Sequence, residues 1–83
     1  MAVMTTESRA EALFVSCLQP SDSPTPAEVG AAIRDSLRAN GGLAGCAAQL
    51  AAEYGDHPLE AVDRMRWALE LVANSRGGRR RPA

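Results

Sequence analysis

Catalysis or metal binding in this chain would have to be built from one histidine, two cysteines and ten carboxylates spread over 83 residues. His57 stands in a turn beside Pro58 with no cysteine or second histidine at a metal-ligand spacing, so it reads as a capping residue. Cys17 and Cys46 are 29 positions apart and form no CxxC pair, the pattern of reduced, buried small hydrophobes. Glu60, Asp63 and Glu70 share a segment with Arg64 and Arg66, at spacings of three and four. On a helix those spacings make a salt-bridged solvent face, not a general acid/base couple. Phosphate-binding loops, dinucleotide fingerprints, nucleophile elbows and zinc-protease helices are all missing from the sequence. The expectation is a protein that is not an enzyme, with no cofactor and no bound metal.

Two patterns suited to binding are left. Residues 47–55 are Ala-rich and end on Gly55, and an arginine-containing segment follows, which is the outline of a helix-turn-helix. In that reading Arg64 and Arg66 meet DNA while Arg79, Arg80 and Arg81 hold phosphates. Asp56 stands where that motif takes an apolar residue, and Glu60 and Asp63 would lie close to phosphates. The second pattern is on the last helix. At 100° per residue, Trp67 and Leu71 fall nearly opposite Val62, Met65 and Val72, beside Arg64. A Trp–Leu–Arg cluster has the composition of a protein-interface hot spot. Burial of Trp67 against the first helix is the other reading of the same spacing.

Four helices would position these residues. The first, over about 5–18, starts at Thr5 or Thr6 and buries Ala10, Leu13, Phe14, Cys17 and Leu18 on one stripe before Pro20. The second, over about 25–39, opens on Thr25-Pro26-Ala27-Glu28, where Thr25 caps, Pro26 occupies the first turn and Glu28 reaches back to the cap amide. It carries Val29, Ile33 and Leu37 inward and stops at Asn40-Gly41-Gly42. The third, over about 43–54, aligns Leu43, Cys46, Ala47, Leu50, Ala51 and Tyr54, and Gly55 closes it. The fourth, over about 58–74, has Leu59, Val62, Met65, Leu69 and Val72 as its main stripe. The fold class is therefore all-α: a compact four-helix domain over 1–75, its last two helices a helix-turn-helix-like pair, followed by a disordered basic tail over 76–83.

Composition supports that frame. Sixteen of the 83 residues are alanine, the best helix former and the one that lets helices approach closely. Large apolar side chains are scarce, with eight Leu and five Val but one each of Ile, Phe, Trp and Tyr. A chain this short is marginal on core alone, and a homodimer sharing a core would ease the shortage. Lysine is missing. Residues 1–63 hold nine acids against three arginines, and residues 64–83 hold six arginines against Glu70, so an acidic body carries a basic end. No basic-then-apolar leader and no membrane-length apolar run is present, which points to a cytoplasmic protein that does not enter a membrane.

The segments Glu7-Ser8-Arg9-Ala10-Glu11-Ala12-Leu13-Phe14, Tyr54-Gly55-Asp56-His57-Pro58 and Arg64-Met65-Arg66-Trp67-Ala68 resemble a group of short actinobacterial helical proteins. The resemblance covers most of residues 7–68, and the lysine-free, Ala/Arg-rich composition fits such a source. It implies lineage and compartment, with no catalytic or binding residue to carry over. Together these features lead to a small regulatory or adaptor protein working by helical protein–protein contact, with Trp67, Leu71 and Arg64 as anchors for a protein partner or a second copy. DNA binding by the helix-turn-helix is the alternative.

Overall fold

A computed structural model describes residues 4–77. The chain forms four helices, α1 (Thr6–Phe14), α2 (Pro26–Asn40), α3 (Leu43–Asp56) and α4 (Pro58–Gly77), with a 3-10 turn at Pro20–Asp22 in the first connection. No strand occurs among the described residues, in line with the alanine-rich composition. No helix among them is long and apolar enough to cross a membrane. Helix α1 touches all three others and lies most extensively against α4.

Local chemistry sets most of the boundaries. Thr5 Oγ1 accepts a hydrogen bond from the Ser8 amide at 3.0 Å, satisfying a free donor of α1's first turn. At α2 the reciprocal capping box is complete: the Glu28 amide donates to Thr25 Oγ1 at 3.2 Å, and the Thr25 amide to Glu28 Oε1 at 2.8 Å. The helix ends on Gly41 at φ 78°, a left-handed conformation open to glycine at no steric cost. The Gly42 amide then folds back onto the Leu37 carbonyl at 2.8 Å.

Besides α4, which runs on to Gly77 and so takes 76 and 77 out of the segment expected as a disordered tail, two boundaries differ from the sequence expectation. Helix α1 stops at Phe14, four residues before Leu18. Ser16 takes over there, its hydroxyl donating to the Leu13 carbonyl at 2.6 Å and accepting from the Leu18 amide at 3.2 Å. A serine that offers the backbone such local partners competes with continued helix. Cys17 consequently points outward and is exposed, contrary to the expected burial, while Cys46 is buried; both thiols are free. At the other boundary, Gly55 does not close α3, which runs to Asp56. His57 alone separates α3 from α4. Its N–H donates to the Glu53 carbonyl at 2.7 Å and its C=O accepts from the Ala61 amide at 2.8 Å, so one backbone unit ends one helix and opens the next. The three- to four-residue turn of a helix-turn-helix is not what joins this pair.

The core is small. It consists of Ala10, Ala12 and Leu13 from α1, Val29 and Ile33 from α2, Cys46 from α3, and Ala68 and Val72 from α4. Helix α3 contributes least. Cys46 is its buried residue, Leu50 and Tyr54 are half-buried, and Leu43, Ala47 and Ala51 are exposed, against the expectation of one continuous inner face. Cys46 sits under α2, with its Sγ 3.8 Å from both the hydroxyl and the carbonyl oxygen of buried Ser36. The approach of α3 to α2 is set by Gly45, because a Cβ there would overlap the Asn40 carbonyl oxygen. Around Gly55 nothing lies within 4 Å of an added Cβ.

These two helical glycines should respond in opposite senses to the same substitution. Gly45→Ala is expected to lower unfolding stability by about 1–3 kcal/mol through forced separation of α2 and α3. Gly55→Ala is expected to raise it by about 0.5–1 kcal/mol through helix propensity. Urea titration of each variant against the parent checks the pair.

Candidate functional site

Among the described residues Arg64 gathers an unusually dense set of interactions. Its Nε donates to the Phe14 carbonyl at 2.7 Å, and one Nη donates to the carbonyls of Ser16 at 3.1 Å and Leu18 at 2.8 Å. These oxygens belong to the end of α1 and the turn beyond it, where helical partners run out. The guanidinium also lies over the rings of Trp67, 4.7 Å from its centroid, and Phe14, 5.7 Å from its centroid. Phe14 in turn stacks on Tyr54 at 6.1 Å with 14° between the planes. Burial pushes the Arg64 pKa below its ordinary value, opposed by the nearby acidic groups Glu53 and, to a smaller degree, Cys17.

This arrangement fixes which side of α4 faces inward. Ala61, Ala68 and Val72 are buried, and Met65, Trp67 and Leu71 pack partly against the core. Of the stripe expected to be buried, Leu59 is 79%, Val62 43% and Leu69 36% exposed. The helix is thus turned about its axis relative to the sequence expectation. Trp67 and Leu71 lie on the half-buried flank, Arg64 reaches into the molecule, and the uncovered apolar side is Leu59, Val62 and Leu69. Arg66 stands between them, 3.5 Å from Asp63, and both side chains are largely exposed. The sequence does hold a sign of this. The series Leu59, Val62, Arg66, Leu69 has a charge in the middle, whereas Ala61, Met65, Ala68, Val72 runs at helical spacing without one.

Two clefts flank the turn after α1. One, of about 420 Å³, is lined by polar side chains that include Gln19, Asn40, Gln49, Glu53 and Arg64. The other, of about 440 Å³, lies between that turn and α2 and is lined by Cys17, Leu18, Ala31, Ala32, Glu28 and Asp35, among others. Neither is lined by His57, so neither pairs a nucleophile with an imidazole base. Among the described residues no three His, Cys, Asp or Glu side chains gather as a metal site would require. Arg66 is the one arginine on the outer side of α4 between residues 58 and 74, in company with Glu60, Asp63 and Glu70. Arg79, Arg80 and Arg81 lie outside the described residues.

Comparison with protein families, with curated proteins and with solved structures gives no match. The outer side of α4 is therefore the candidate site on its own geometry: a row of apolar side chains at helix-contact spacing, flanked by charges.

Arg64 should prove to be a stability residue. Replacing it with alanine leaves three carbonyls near the core without their donor and uncovers Trp67, at an expected cost of about 2–4 kcal/mol. Arg64→Lys should recover less than half of that, since an ammonium has no planar fork to span three oxygens. Denaturant unfolding followed by fluorescence of Trp67, the single tryptophan, reads both effects.

Proposed function

We propose that this protein is a small non-enzymatic regulatory or adaptor protein that works by helical protein–protein contact, and that the outer side of α4 makes the contact. One observation carries the proposal: Leu59, Val62 and Leu69 stand exposed along a single line of a 20-residue helix. A monomer this short of large apolar side chains loses stabilisation by leaving them in water. Their spacing is that of a helix-in-groove or helix–helix contact. Three acids beside Arg66 on the same side would repel phosphates, which favours a protein partner over a nucleic acid.

The test is a pair of substitutions on that line. Leu59→Glu with Leu69→Glu should leave the chain folded at a stability cost of about 1–2 kcal/mol, most of it from Leu69, which is 36% exposed against 79% for Leu59. It should abolish the association of the tagged chain with other protein, whether a second copy or a different chain, recovered after nuclease treatment. Association that survives the double substitution, or that disappears with nuclease alone, would overturn the proposal.

A further inference from the structure

We infer that the occupant of this surface is a second copy of the same chain, joined through α4 in antiparallel orientation; the inference rests on the reading of α4 as a contact surface. The exposed series Leu59, Val62, Arg66, Leu69, Ala73 advances by three and four residues alternately, the repeat that keeps one seam of a helix facing a partner helix. Two of its features choose the partner and its direction.

The first is the placement of charge. In a parallel pair Arg66 would face its own copy inside the seam, a like-charge contact that each copy's own Asp63 flanks without lying between. In an antiparallel pair with the two-fold axis level with residue 64, Leu59 meets Leu69 of the other copy at both ends and Val62 meets Arg66 at the centre. Arg66 then lies within one turn of Asp63 on the opposite helix. Each copy already pairs Arg66 with Asp63 at 3.5 Å on its own surface. Bringing two such pairs together makes an alternating cluster of two arginines and two aspartates, charge-complementary to itself under two-fold rotation.

The second is symmetry of the apolar positions. Leu59 and Leu69 are equally distant from the axis, as are Val62 and Arg66, so one register matches these four positions in both directions, with Ala73 falling beyond the start of the other copy's α4. An unrelated partner would have to reproduce that spacing. A second copy carries it already, and gains apolar burial that a core with Leu13, Val29, Val72 and Cys46 as its largest fully buried side chains lacks. A two-helix seam of this length is a small interface, so association is expected to depend on concentration.

The experiment uses the full chain. Sedimentation equilibrium should show mass rising from 8.7 kDa to twice that value below about 1 mM. Arg66→Glu should weaken the dimer about tenfold or more, and adding Asp63→Arg to it should restore most of the affinity by inverting the cluster. Circular dichroism confirms that each variant is folded. Orientation is read by cross-linking in a Cys17→Ser background. Leu59→Cys mixed with Leu69→Cys should form a disulfide-linked heterodimer, and Leu59→Cys alone should form none, because its two copies would be roughly 15 Å apart along the axis. Cross-linking of Leu59→Cys with itself would overturn the antiparallel register. A monomer throughout that concentration range would overturn the inference. If that monomer still bound another protein through Leu59 and Leu69, the contact-surface reading would survive; if it bound nothing there, both would fall.

Discussion

The fold hangs on a guanidinium that has been taken partly out of water. Removing a charge from solvent is expensive unless hydrogen bonds replace hydration. Arg64 meets that condition with three carbonyl oxygens at the end of α1 and two aromatic faces. The compensation works in both directions, because helix ends leave carbonyls without partners and α1 is a short helix with no basic residue in its last turn. A side chain 46–50 positions away supplies what the helix lacks. With α1 held to α4 in this way, Phe14 is placed against Tyr54 and the third helix is drawn in.

Alanine determines how closely this can happen. Ala10 and Ala12 on α1 and Ala61 and Ala68 on α4 are all buried, and α1 and α4 form the most extensive helix contact. Small side chains bury little area each, but they allow backbones to approach and recover dispersion contacts over the whole length of the interface. The same economy operates between α2 and α3, where Gly45 lies directly on the Asn40 carbonyl. A molecule built on close approach has little room for larger side chains inside, and on α4 Leu59, Val62 and Leu69 are left on the outside.

What was readable in the sequence followed from how local its cause was. The α2 boundaries were legible because Thr25, Glu28 and Gly41 act within a few residues of themselves. Four helices and the absence of strands among the described residues followed from alanine content and spacing. The early end of α1 was not legible, since Ser16 and Arg64 decide it together and one of them is on the last helix. The face of α4 is not legible for a different reason: ranking side chains by hydrophobicity puts Leu and Val inward, whereas this interior selects for small size. Arg64, Trp67 and Leu71, the contact residues expected from the sequence, are drawn into the molecule's own packing, and Leu59, Val62 and Leu69 take their place on the surface.

The single-residue joint at His57 gives the chain a property like a reading frame. Because α3 ends and α4 begins on one residue, the rotational phase of the last helix is locked to that of the one before. Inserting or deleting one residue there would turn every α4 side chain by about 100°. Arg64 would swing away from its carbonyls, and the inner and outer stripes would leave their places together. Internal cohesion and outward contact are thus two outputs of one angular setting, so the length of this joint is far less free to drift than the composition of the surface it orients.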